Sequence, residues 1–346
     1  MSGTRRKRTR SATQSVTMLD VAEAAGVSAQ TVSRALNRPQ EVSEETRRRV
    51  ELAVKSTGYL GNLAASHLAS NRSRTIAAIL PVISTSVFSD TLGAAASLLT
   101  PAGYQLIVGF TNYEELREEA LVRSFIQRRP DGFIIIGTVH TSETVRLLRA
   151  YGAPVVETWD WNDDPVDALA GFSNQEAMRE LVHRLHDTGY HAITFACTIS
   201  AGDHRAIRRL DGFKQAMREI SPDDPPRLVE LQNRAIAMST GTEMLGIALE
   251  RYPDTDLLVF ASDVFASAAL LEAQRQGIRV PDDLAIAGFG DFELARHLNP
   301  PLTTVSVDGM AIGRQATDLL LKRLRGETSD HAMVDVGYQI VRRGSA

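Results

Sequence analysis

From Thr75 onward, short apolar runs rich in β-branched residues alternate with amphipathic stretches of helical length, and this alternation restricts the fold more than any other feature of the chain. Runs at 76–80, 105–108, 133–136, 155–156, 193–196, 228–231, 257–260 and 284–287 read as strands. Helical patterns over 87–99, 114–128, 142–150, 176–187, 206–219, 241–250, 265–276 and 309–325 lie between them. Parallel strands need long crossovers, so this order implies mostly parallel sheet with helices on both faces. So many strands suggest two lobes, and open α/β sheets bind ligands beyond the carboxyl ends of their strands. A ligand cleft is expected.

The residues before Thr75 have a different character. Thr17-Met-Leu-Asp20 has the form of a capping box, Gly26 closes the helix it opens, and Ser28 caps a second helix with Val32, Ala35 and Leu36 on one inner stripe. Pro39 stops that helix. Ser43-Glu-Glu opens a third, carrying Val50, Ala53 and Val54 and ended by Gly58. Residues 59–74 are small and polar, yet Asn62 to Ala69 contains enough helix formers to make about two turns if something holds them. The expected organisation is a basic disordered tail at 1–15, a small helical domain at 16–61, a linker or hinge helix at 62–74 and an α/β domain at 75–346. That domain divides into lobes of about 75–189 with 304–326, and 190–303 with 327–343.

Charge separates the same regions. The whole chain carries a formal −4, but residues 1–62 hold 11 Lys/Arg against 6 Asp/Glu, so the helical end suits a polyanion. Its first two helices, joined at Ala25-Gly-Val27, form a helix-turn-helix, whose second helix enters the DNA major groove. Ala29, Gln30, Ser33 and Arg34 face outward in this reading. Gln can bridge an adenine edge and Arg a guanine edge, while Ser and Thr hydroxyls mostly fix the phosphate backbone.

Leu19-Asp-Val-Ala-Glu-Ala-Ala-Gly-Val-Ser-Ala-Gln-Thr-Val-Ser-Arg-Ala-Leu-Asn37 resembles the head of the lactose-repressor (LacI/GalR) family of transcriptional regulators. The resemblance continues to about residue 343 through Asp131-Gly-Phe-Ile-Ile, Arg209-Leu-Asp-Gly-Phe213, Val280-Pro-Asp-Asp-Leu-Ala-Ile-Ala-Gly-Phe289 and Pro301-Leu-Thr-Thr-Val305. It implies a helix-turn-helix head on a two-lobed, periplasmic-binding-protein-like α/β core with parallel sheets. The partners it implies are a pseudopalindromic operator, a second copy of the chain and a small effector held between the lobes. DNA contacts would come from Ser28, Gln30, Thr31, Ser33, Arg34 and Asn37, with Ala29 where many relatives carry a larger base-reading side chain. Asn62 would open the hinge helix, and Leu68 would wedge into the minor groove.

The effector is expected to be a sugar acid of the gluconate type, with a neutral sugar as the alternative. Arg205, Arg208 and Arg209 follow the strand at 193–196 at a helical spacing that places at least two guanidiniums on one face. By resemblance, Arg209 is the family's usual effector-binding Arg. Ser173 and Gly290 stand where relatives that bind neutral sugars place Asp, and the lost carboxylates would otherwise repel an anion. Thr138-Val-His-Thr141 and Pro154-Val-Val-Glu157 resemble the gluconate-operon repressor branch, so His140 and Glu157 could reach sugar hydroxyls. Phe88, Ser262 and Asp291 complete the expected effector set.

Other classes fit less well. There is no nucleophile elbow, Walker loop, dinucleotide fingerprint or metal-ligand spacing, so no catalytic residue, cofactor or metal is expected. Cys197 reads as core packing. The basic start lacks a following apolar segment and no run approaches membrane-spanning length, which points to the cytoplasm rather than an exported solute-binding protein. Nothing after Val341 has apolar heptads, so a dimer is expected rather than a tetramer, joined through 88–99 and 115–126.

Overall fold

The structure is a computed structural model that describes residues 16–59, 72–82, 86–200, 202–327 and 332–346. The basic tail, Asn62 and Leu68 lie outside these residues. The chain forms two units, Met1–Ser73 and Arg74–Ala346.

Among the described residues three α-helices build the first unit: α1 Met18–Ala25, α2 Ala29–Asn37 and α3 Glu44–Thr57. The capping box is formed, with the Thr17 N–H donating to the Asp20 carboxylate at 2.8 Å. Gly26 adopts φ +63°, and Arg49 of α3 donates to the carbonyls of Ala25 at 2.6 Å and Gly26 at 3.1 Å, so one side chain fastens the turn to the third helix. Val21, Ala22, Ala25, Val32, Ala35, Val50, Ala53 and Tyr59 make the core. Leu36 does not join it and is 41% exposed. The buried stripe of α2 follows the i, i+3 pair Val32 and Ala35, and the other helices leave the i+4 edge uncovered.

In the second unit two six-stranded sheets share the strands. The first contains β1 Thr75–Leu80, β2 Gln105–Phe110, β3 Gly132–Ile136, β4 Val155–Thr158, β5 Ala168–Gly171 and β11 Met333–Asp335, in the order β11-β5-β4-β3-β1-β2 and all parallel. The second contains β6 Ile193–Ile199, β7 Arg227–Gln232, β8 Leu257–Phe260, β9 Ala285–Gly290, β10 Thr303–Ser306 and β12 Gln339–Val341, in the order β12-β10-β9-β8-β6-β7. Only β12 runs antiparallel to its neighbour. Central strands such as Phe133-Ile-Ile-Ile and Leu257-Leu-Val-Phe are buried along their whole length, as expected of a sheet covered on both faces.

The lobe boundaries differ from those read from the sequence. Helix α7 Asn174–His186 packs against α8 His204–Ile220 of the second lobe, so closely that a Cβ on Gly212 would lie 2.2 Å from the Gln175 carbonyl oxygen. Strand β10 also belongs to the second sheet, whereas β11 returns to the first. Helix α12 Gly309–Arg325 packs on the first lobe against α4 Ser86–Leu99, where Gly313 abuts the Thr91 carbonyl. The chain therefore crosses between lobes after Gly171, after Ser306 and between Asp335 and Gln339. Strands β5, β10, β11 and β12 have three or four residues each and too little apolar pattern to be seen in the sequence.

Candidate nucleic-acid face and ligand cleft

On the head, Ser28 caps α2 by accepting from the Thr31 N–H at 3.1 Å, and the two hydroxyls are 2.8 Å apart. Gln30 is exposed on the first turn, Ser33 is half-buried and the Arg34 side chain is 47% exposed, with its Nε 3.8 Å from Glu41. Such a loose surface pair holds the guanidinium only weakly, leaving it available to another acceptor. Ala29, at the start of α2, is partly buried against the head's own core. Asn37 ends the helix.

The cleft between the lobes of the second unit is assembled from the residues that follow strand carboxyl ends. One cavity, with about 510 Å³ of atom-free space including its solvent-open part, is lined by Phe88, Trp159, Phe172, Arg205, Arg209 and Phe289, among others. Arg205 and Arg209 share one face of α8, one turn apart. The Arg205 guanidinium lies 4.8 Å from the centre of the Phe88 ring and that of Arg209 lies 4.8 Å from the Phe289 ring. Arg209 Nη1 donates to Asn174 Oδ1 at 2.8 Å, and Asn174 Nδ2 donates to Asp160 Oδ1 at 3.1 Å. Arg205 Nη1, Arg209 Nε, Asp160 Oδ2 and Thr138 Oγ1 are buried without a hydrogen-bond partner. Buried polar atoms are nearly always paired, so this group of orphans points to something that would complete it. Burial pulls the Arg209 pKa down, and burial raises that of Asp160 despite the hydrogen bond from Asn174.

Of the residues expected from the sequence, Phe88, Arg205, Arg209 and Ser262 meet at this cavity. Ser173 does not. Its hydroxyl caps α7 by accepting from the Glu176 N–H at 3.1 Å, and its neighbours Phe172 and Asn174 face the cleft instead. Asp291 is also turned away: the chain bends at Gly290 (φ +129°) and Asp291 (φ +52°), and the carboxylate is taken by Arg343 at 2.6 Å, Arg296 at 2.8 Å and Ser306 at 2.9 Å. Gly290 and Phe292 line the cavity in its place.

His140 and Glu157 are close together but occupied with each other. His140 Nε2 lies 3.1 Å from Glu157 and Nδ1 lies 2.6 Å from Glu118, which borders the acidic side of the cleft, while neither His140 nor Glu157 lines the arginine-bearing cavity. Burial lowers the imidazole's proton affinity, but the hydrogen bonds to Glu118 and Glu157 outweigh it and push the pKa up to about 10. A raised histidine pKa contributes stability that is complete below about 6.5 and lost as pH climbs through the folded-state value. The parent melting temperature should therefore fall more between pH 7 and 10 than that of His140→Gln. Parallel curves for the two proteins would remove the ion pairs from this account.

Sequence reasoning missed Tyr113, Trp159, Asp160, Phe172, Asn174 and Phe289. All lie at or just beyond a strand's carboxyl end, and that position was the signal available for finding them. No helix among the described residues is long and apolar enough to cross a membrane.

A helix-turn-helix head followed by a two-lobed α/β core with a polar cleft defines a ligand-responsive, sequence-specific DNA-binding transcriptional regulator. Residues 17–62 match the model for bacterial regulatory proteins of the lacI family, and residues 182–346 match that of a periplasmic binding protein-like domain. The HTH-type transcriptional regulator GntR of Escherichia coli K12 is 32% identical over 326 residues, covering 94% of this chain and 97% of the relative. Among solved structures, a LacI-family transcriptional regulator from Silicibacter pomeroyi is similar with a TM-score of 0.89 and 35% identity, over 95% of this chain and 99% of the other. The transcription regulator GntR from Chromobacterium violaceum is similar at a TM-score of 0.73 and 34% identity, over 78% and 98% respectively. The chain belongs to the LacI family of bacterial transcriptional regulators.

Proposed function

We propose that the protein is a dimeric repressor of sugar-acid utilisation genes whose operator affinity is set by a gluconate-like acid bound at Arg205 and Arg209. The observation that carries this reading is the pair of stacked, buried guanidiniums with Nη1 of one and Nε of the other lacking an acceptor. A carboxylate is the ligand group that satisfies such donors with charge-assisted hydrogen bonds. Asp203 faces the same cavity, but one of its oxygens caps α8 by accepting from Ala206 at 3.3 Å. Hydroxyls of the acid would meet Asn174 and Ser262, which line the same cavity. The test is calorimetry with gluconate, other aldonates and the parent neutral sugars. Binding of acids that weakens in Arg205→Ala supports the reading, and binding of neutral sugars alone refutes it.

Operator reading is assigned to Ser28, Gln30, Thr31, Ser33, Arg34 and Asn37, with Asn62 and Leu68 in a hinge segment outside the described residues. Dimer formation is supported by exposed apolar side chains at the edge strand and the neighbouring helices of the first lobe: Leu98, Val108, Phe110 and Leu116. Arg34→Ala should weaken specific operator binding by about 1–3 kcal/mol and relax base preference at one position, as expected on losing a bidentate guanine contact. Equal losses on operator and random DNA would reduce Arg34 to a phosphate contact.

A further inference from the structure

Tyr113 stands where three cavities of the cleft meet. It borders the arginine-lined cavity, an acidic one that includes Glu114, Glu118, Thr138 and Asp160, and the open mouth beside Asn233 and Arg234. The first two otherwise share only Arg205, whose positive charge favours the ionised phenol. Burial, reinforced by Asp203, pushes the phenol up to about 12, so it stays neutral at physiological pH.

The backbone here is strained in a specific way. Asn112 and Tyr113 are consecutive non-glycine residues at φ +51° and +61°, a conformation that side chains disfavour. Hydrogen bonds from Thr111 to the Leu80 carbonyl at 3.0 Å and from Asn112 to that of Pro81 at 2.8 Å hold the loop to the end of β1. Across the cleft, a Cβ on Gly202 would lie 2.0 Å from the Tyr113 carbonyl oxygen, so the second lobe presses on the same residue. Strain of this kind persists where the surrounding structure enforces a functional placement.

We propose that Tyr113 is the specificity-determining residue that sets effector length, its ring forming the wall between the arginine-lined and acidic cavities. This rests on placing the effector at Arg205 and Arg209. With the ring in place the ligand is confined to one monosaccharide unit. Without it, the two spaces, of about 510 and 440 Å³ with their solvent-open parts, join beneath Arg205 and admit a second sugar ring.

The test compares the parent full-length protein with Tyr113→Phe and Tyr113→Gly by calorimetry against gluconate, lactobionate, glucose and lactose. Gly is chosen because it accepts the positive φ freely, so removing the ring does not endanger the loop. The parent and Tyr113→Phe should prefer one-unit ligands, Tyr113→Phe binding a few-fold more weakly for want of the hydroxyl. In Tyr113→Gly the ratio of two-unit to one-unit affinity should rise at least tenfold. The same size preference in Tyr113→Gly as in the parent, or no response to any of the four ligands in either protein, overturns the proposal. A length shift seen only with glucose and lactose keeps the wall and refutes the acid reading. Acids that bind with an unchanged ratio do the reverse.

Discussion

Arg209→Ala should raise the dissociation constant for the effector by about 100-fold or more, while leaving effector-free operator binding near the parent value. Arg209 is half-buried with its Nε enclosed, stacked on Phe289 and bonded through Nη1 to Asn174. Its loss would strand the ligand's anionic group and Asn174 Oδ1 together, and removing one partner of a buried charge pair costs about 3–5 kcal/mol. Arg209→Lys should recover little of this, because an ammonium cannot keep the bond to Asn174, stack on Phe289 and present a second N–H to the ligand at once. Since effector and operator affect each other's affinity reciprocally, the variant should also fail to change operator occupancy at effector concentrations that saturate the parent. Binding within threefold of the parent would show that Arg209 shapes the cleft without touching the ligand.

Gly202→Ala should separate ligand binding from folding. In the structure the two lobes meet at Gly202 and Tyr113, and His204 Nε2 lies 2.8 Å from Glu115 beside them. A methyl group on Gly202 would stand 2.0 Å from a backbone oxygen, which cannot rotate away as a side chain can. The lobes would have to part by roughly 1–1.5 Å to restore ordinary contact, a displacement large enough to pull Arg205 away from the Phe88 side of the site. Effector affinity should fall about 10- to 100-fold, with the effector-free melting temperature little changed. Small-angle scattering should show that added effector no longer compacts the core. Parent-like affinity would mean that the loops absorb the methyl group and that contact at Gly202 is incidental.

Much of the fold was legible because alternation of strands and helices is a coarse, repeated signal. The strands it missed are those whose three or four residues owe their conformation to a neighbour already in place: β11 exists because β5 offers an edge. Helix caps explain a second failure. Reading α7 as starting at 176 rather than Asn174 concealed that Ser173 is its N-cap, so a hydroxyl engaged by Glu176 was counted as a ligand contact. Arg205 and Arg209 could be identified since their spacing fixes their common face whatever surrounds them. The aromatic walls were hidden for the opposite reason. Trp159, Phe172 and Phe289 are buried as core residues are, and a sequence does not distinguish a ring against a cavity from a ring against its neighbours. That His140 is held by Glu118 is a tertiary fact spanning 22 residues, with no periodicity to announce it.

The three passages of the chain between the lobes determine the order in which the molecule can be made. During synthesis the first lobe emerges with an incomplete sheet, because its edge strand β11, paired with β5, lies more than 160 residues downstream. All of the second sheet except β12 is made inside that interval, and β12 follows only after β11. Neither lobe can be cut out as a contiguous fragment, and pairings this distant make folding slow. A chain whose synthesis has stopped short of β11 carries a first lobe with an open, parallel-pairing edge at β5. Its susceptibility to proteolysis and to edge-to-edge association would be greatest at that point and would disappear once β11 docks.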